Sequence, residues 1–267
     1  MAGLSTIKRG ENRDRYYVHP GTGEKLPGVT TILNMEPKPF LTFWAAKVVA
    51  EHAVENFGAL AALAVNDKKG AIDWLKRAPQ RNTGEAADVG TLVHDYFELR
   101  AKGKAPRHVH PDVKAYVQHI EEFFERYEPE FLHLEDAVIS ETHKYAGSFD
   151  WIAKIGDEIV IGDNKTTRSG VHSSVGCQLS AYRHADYIVT QSGERHDIPA
   201  IDAAAVLHLR PEGWKLVPVR SDAAVFEQFL YYRATFEFKA GLDKDIVGAP
   251  DYDSQAAEST GSKRRSS

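Results

Sequence analysis

The stretch from Tyr145 to Thr167, YAGSFDWIAKIGDEIVIGDNKTT, constrains this chain more than any other. It holds two β-patterned runs joined at Gly156-Asp157, a dipeptide suited to a tight hairpin. Asp150 ends a small-residue turn that leads into the first run. Asp163 lies on the second, two positions before Lys165. Alternation along a strand puts Asp163 and Lys165 on one face and turns Asn164 to the other. Ile159 and Ile161 share the parity of Asp163, so parity alone does not separate a buried face from an active one. Pairing the two runs brings Asp150 near Asp163 across the ladder. Two carboxylates that close repel each other and are costly to bury unless a cation sits between them. Oxygen ligands of this kind suit Mg²⁺ or Mn²⁺. A lysine beside the ion holds a water or steadies charge developing on a phosphate. The outline is that of a hydrolytic phosphodiester site.

The order Gly147-Ser148-Phe149-Asp150, a strand, then Asp163-Asn164-Lys165 resembles the core signature of the PD-(D/E)xK nuclease superfamily, with Asp in the variable acidic position. Gly90-Thr91-Leu92-Val93-His94 upstream and Gln178-Leu179-Ser180-Ala181-Tyr182 downstream resemble the RecB-type exonuclease branch of phages and bacteria. The resemblance covers Gly84 to Tyr187. It implies a restriction-endonuclease-like core and a metal held by His94, Asp150, Asp163 and the backbone carbonyl of Asn164. It also implies that Lys165 positions the attacking water, and that Gln178 and Tyr182, one helical turn apart, orient the lysine, a water or the DNA backbone. In RecB-type nucleases an acid often ends the first core strand. Glu141 therefore either faces the metal or is a paired surface carboxylate. Glu98, four residues after His94 on the same helical face, either supports the histidine or faces solvent. Arg168, in the polar loop leaving the site, is placed to meet a phosphate. Some RecB-type relatives carry a four-cysteine iron–sulfur cluster, which the single Cys177 excludes here, along with any intramolecular disulfide.

With 267 residues, 42% hydrophobic and 27% charged, the chain has ordinary globular composition. Its net charge of −5 is not that of a protein that coats nucleic acid. Contact with DNA must then rest on a local basic groove and bound cations. No signal-peptide pattern and no apolar run of membrane-spanning length is present, so no membrane association is expected. A cytoplasmic location is expected, the host cytoplasm if the protein is phage-encoded.

Three segments are expected: residues 1–83, an N-terminal hairpin and helical elaboration; 84–240, the nuclease core that the resemblance implies; and 241–267, a tail that composition marks as disordered and that carries Lys263-Arg264-Arg265. The first dozen residues read as loose. RYYVH and KLPGVTTIL read as a hairpin across a Pro-Gly-Thr-Gly turn. A helix is expected over Phe40–Phe57, with Trp44 read as core. A short one follows around Ile72–Leu75. Lys68, Lys69, Lys76, Arg77 and Arg81 read as a solvated face or as a phosphate-contacting rim. Further helices are expected over Glu85–Ala101, where Gly90 permits close approach by another group, and over Asp112–Tyr127. His108 and His110, in a loop beside prolines, read as bystanders. The strands Glu135–Glu141, Gly147–Ile155 and Glu158–Lys165 form a meander. A helix Ser174–Thr190, a hairpin Ile201–Leu209 with Trp214–Val219, and an amphipathic helix Phe226–Ala240 complete an α/β domain: a central mixed β-sheet flanked by helices, with an N-terminal helical elaboration.

The activity expected from the resemblance is Mg²⁺- or Mn²⁺-dependent exonucleolytic hydrolysis at DNA ends, in recombination or repair beside a strand-annealing protein. Two other readings stand: an endonuclease subunit of a helicase–nuclease complex, and a nucleic-acid-binding member of the fold that has lost catalysis. Retention of Asp150, Asp163 and Lys165 together argues against the last, because retained acids repel to no purpose without a metal.

Overall fold

The computed structural model describes residues 4–9, 14–104, 106 and 108–252, without the side chains of residues 8, 9 and 82–87. In chain order the elements are strands β1 (Thr6–Arg9), β2 (Asp14–Val18) and β3 (Lys25–Pro27), then helices α1 (Val29–Ile32), α2 (Phe40–Glu55), α3 (Phe57–Asn66), α4 (Lys68–Lys76), α5 (Ala78–Ala101) and α6 (Lys114–Tyr127). Next come β4 (Glu130–Leu134), β5 (Ala137–Ser140), β6 (Tyr145–Ser148), β7 (Trp151–Ile155) and β8 (Glu158–Lys165). After α7 (Ser174–Arg183) come β9 (Tyr187–Val189), β10 (Arg195–His196), β11 (Ala203–Arg210), β12 (Gly213–Val219) and α8 (Ala223–Ala240).

The centre is a five-stranded sheet in the order β12-β11-β8-β7-β4, with β11 parallel to β8 and the other pairs antiparallel. It is therefore a mixed sheet. Its strands are apolar on both faces, as a sheet covered on both sides requires. One face, with Ile152, Ile161 and Val206, packs with Leu179 of α7 and Phe229 of α8. The other, with Trp151, Val160 and Leu207, packs with Phe97 of α5 and Phe123 of α6. Most pairs among Phe97, Phe123, Phe124, Phe131 and Trp151 meet edge-on or tilted at centroid distances of 5.4–6.3 Å, the geometry that aromatic quadrupoles favour. Gly162 is required here. A Cβ on it would stand 1.9 Å from the Trp151 ring packed across it.

A four-stranded sheet, β10-β9-β5-β6, and a three-stranded one, β1-β2-β3, complete the framework. The expected meander of three strands is corrected here. The first run is two strands, β4 in the central sheet and β5 in the four-stranded one. The second divides likewise into β6 and β7. Both runs change sheets at the same level, where Glu135 N donates to Asp150 O (2.9 Å) and Phe149 N donates to Asp136 O (3.1 Å). Glu135 takes a left-handed backbone conformation there, φ 52°.

Other boundaries move as well. The helix expected to reach Thr190 ends at Arg183, because Tyr187–Val189, β-branched and aromatic, pairs with β5 as β9. Val29–Ile32 is a helical turn rather than a strand, since Gly28 O accepts from Ile32 N. Thr6–Arg9, expected loose, pairs with β2. Helix α5 starts at Ala78, seven residues earlier than expected, and runs unbroken through residues 83 and 84. The expected hairpin from residue 201 forms as β11 and β12. Among the described residues no single helix is long and apolar enough to cross a membrane. Helices α2 and α3 bury no residue, and Trp44, read as core, is only half-buried. Residues 253–267, most of the tail and its basic cluster, lie outside the described residues.

Candidate metal centre

The last turn of β8 delivers the signature residues. Asp163 and Asn164 follow the strand parity expected of them. Gln178 Nε2 on α7 donates to Asp163 Oδ1 (2.9 Å), while on the other face Trp151 Nε1 donates to Asn164 Oδ1 (3.1 Å). Asp163 is 2% exposed. Lys165 Nζ lies 2.5 Å from its Oδ2, so the two form an ion pair. Even so, Oδ2 is buried without an aligned hydrogen-bond donor among the described residues. Gln178 Nε2 also donates to the hydroxyl of the buried Tyr182 (3.3 Å), one turn along α7. Burial raises the Tyr182 hydroxyl well above the ordinary tyrosine value, so it stays a neutral hydrogen-bonding group.

Asp150 occupies the bend between β6 and β7, and its Oδ2 accepts from Asn164 N (2.7 Å). His94 reaches it from α5. Its Nε2 donates to Asn164 O (2.9 Å), and its Nδ1 faces Asp150 Oδ2 at 3.4 Å. With the proton of the neutral ring on Nε2, a lone pair on Nδ1 confronts a carboxylate oxygen. A cation between the two groups would relieve that repulsion. The lack of a side chain at position 90 eases this close approach of the helix. A Cβ on Gly90 would stand 3.2 Å from Thr166 Oγ1, just past the end of β8.

Glu135, which the sequence reading passed over, completes the cluster. One ligand atom each from His94, Glu135 and Asp150 lie within 4.8 Å of one another. Burial, then the Asp150 carboxylate, pushes the Glu135 carboxyl up to about 8. Burial, then Asp150, also pushes Asp163 up to about 6, against the opposing pull of Lys165. Asp150 thus presses on an acid to either side of it. Mutually repelling, largely buried carboxylates and one imidazole are a donor set that fits a hard divalent cation such as Mg²⁺ or Mn²⁺.

The remaining residues singled out in the sequence fall as follows. The Asn164 carbonyl is beside the cluster but accepts from His94. Glu98, one turn past His94, pairs with Lys102 and accepts from Gln191 Nε2 (3.4 Å); the Lys102 hydrogen bond holds its carboxyl below the ordinary value. Its charge reaches Glu135. Glu141 is not brought to the cluster. Its Oε1 accepts from His19 Nε2 (3.1 Å) and the Tyr187 hydroxyl (3.0 Å), tying β2 to the four-stranded sheet as a paired surface carboxylate. Arg168 is exposed in the loop after β8. His110 pairs locally with Asp112. The signal for Glu135 was present in the sequence: Glu135-Asp136 interrupts the apolar run between Phe131 and Ser140, which an unbroken strand has no reason to do.

No protein-family model matches this chain, and no curated protein matches it.

Proposed function

We propose that this chain is a metal-dependent deoxyribonuclease of the PD-(D/E)xK kind that hydrolyses phosphodiester bonds at DNA ends. The observation that carries the reading is Asp163: a buried carboxylate whose Oδ2 is paired to Lys165 and whose neighbours are the acid Asp150, His94 and Glu135. His94, Asp150, Asp163 and Glu135 are the residues that would hold Mg²⁺ or Mn²⁺. The bound ion would supply an activated water and neutralise charge on the phosphate. Lys165 is the cation of the site, partly exposed at the strand end, and holds the attacking water or a phosphate oxygen as negative charge develops there. Gln178 fixes the Asp163 carboxylate in the orientation that keeps Oδ2 toward the lysine. Tyr182 in turn fixes Gln178. Attack in line with the 3′-oxygen leaves a 5′-phosphate and a 3′-hydroxyl. A role in recombination or repair, beside a strand-annealing protein, accords with an end-acting enzyme.

The test is incubation of the purified protein with end-labelled linear DNA and with covalently closed circles, in Mg²⁺, Mn²⁺ or EDTA. Metal-dependent loss of linear DNA alone, absent from Asp163→Ala and Lys165→Ala variants, is the expected result. Cleavage of closed circles moves the assignment to an endonuclease. Inactivity on every substrate with metal present moves it to a binding module.

A further inference from the structure

We infer that Phe40 and Phe43, together with the loop between β8 and α7, bind an unpaired stretch of DNA beside the metal centre, so that the substrate is a single-stranded end. This rests on the nuclease reading above. Phe40 opens α2 and is 51% exposed, and its ring stacks on His172 of the loop at 5.8 Å and 13°. Phe43, 77% exposed, follows three residues later on the same helical face. Two phenyl rings left in water forgo the gain of burial, which is why such a patch marks a binding surface.

The loop that meets this patch is held in shape. His208 Nε2 donates to Thr167 O (2.8 Å), Arg210 donates to Thr166 O (3.0 Å), and Thr167 Oγ1 donates to Gly170 O (2.9 Å). Ser169 Oγ and His172 Nε2, 2.8 Å apart, fix the histidine ring. Held this way, the loop presents Arg168 outward, exposed and with no ion pair or hydrogen bond among the described residues. The loop begins immediately after Lys165. Along one short path the surface therefore offers aromatic faces, then a free guanidinium, then the catalytic lysine.

Charge selects the occupant. An apolar patch alone would suit another protein surface, but one that runs into an unpaired guanidinium and ends at a cation centre suits a polyanion with flat apolar faces. Nucleobases present those faces to aromatic side chains when the strand is unpaired. A net charge of −5 leaves little general attraction for duplex DNA, so local stacking must supply the grip.

The experiment is fluorescence anisotropy of the full chain with a dye-labelled mixed-sequence single strand and with a blunt duplex of equal length, in Ca²⁺ and in EDTA. The single strand should bind at least ~10-fold more tightly than the duplex, and a Phe40→Ala/Phe43→Ala double variant should lose ~10- to 100-fold for the single strand alone. Its melting temperature and Mn²⁺ affinity should be unchanged, and Phe40→Trp should keep single-strand affinity. Arg168→Gln should lower the slope of log affinity against log salt by about one. Equal affinity for the two forms, or an unaffected double variant, overturns the inference. So does a double variant that loses only self-association in sedimentation, since the patch is then an interface between copies. Metal-dependent DNA cleavage with an unaffected double variant removes this inference alone. Absence of any DNA binding or cleavage removes the nuclease reading with it.

Discussion

On one side of the candidate metal centre Asp163 and Lys165 project from a regular strand, each fixed by strand parity and by a partner on α7 or in the pair itself. On the other side Glu135 and Asp150 sit at two facing bends where the chain leaves one sheet for another. The strand side is held by side-chain hydrogen bonds and burial. The bend side is held by backbone: Glu135 N to Asp150 O, and a positive φ that a glutamate adopts only under tertiary constraint. Regular strands deliver charge at positions countable from sequence. Bends deliver it where two strands agree to break, a property of the pair.

The comparison predicts unequal responses to substitution. The largest belongs to Asp163→Asn. It removes the carboxylate that pairs with Lys165, and DNA cleavage should fall on the order of 10³-fold, several kcal/mol at ~1.4 kcal/mol per tenfold. Lys165→Ala should cost roughly 10²–10³-fold while leaving Mn²⁺ affinity in place, because the lysine stabilises charge and does not ligate. Retained Mn²⁺ binding by calorimetry checks that division. Gln178→Leu acts through Asp163 and should cost ~10- to 100-fold in single-turnover cleavage.

The bend side shows itself in stability. The Glu135 carboxyl, raised from 4.5 to about 8 in the fold, is protonated more readily there than in the unfolded chain. In EDTA its contribution is therefore most favourable below the unfolded value, and it declines as pH rises from 4.5 to about 8. Glu135→Gln should remove that decline. The variant should be more stable than the parent by on the order of 2 kcal/mol near pH 8, after discounting for partial solvent exposure, as urea melts at several pH values will show. Smallest of all is Glu141→Ala, which touches neither side and should leave cleavage unchanged.

The same contrast explains what the sequence made legible. The parity of Asp163 and Asn164 and the pairing of Gln178 with Tyr182 depend on local periods of two or 3.6 residues, whereas the place of His94 beside Asp150 is a long-range contact that only the family resemblance implied. Glu141 looked like the acid ending the first core strand because that run was read as continuous. The break at Glu135-Asp136 follows from β5 pairing with β6 and β9, sequence-distant partners that no local pattern reveals. For the same reason α7 was drawn too long: Tyr187–Val189 continues a plausible helix until β5 offers it a ladder. Trp44 of α2, expected in the core, is only half-buried, and no residue of that helix is buried. Its rings remain at the surface, beside the loop that leaves the site.

Mn²⁺ binding to the parent, Glu135→Gln and Asp163→Asn proteins, followed by calorimetry and electron paramagnetic resonance near pH 8, tests most directly whether the two sides form one site. If they do, the parent binds with proton release, and each variant loses at least ~10-fold in affinity. Unchanged Mn²⁺ affinity in both variants, or no binding by the parent, would contradict the metal centre as drawn.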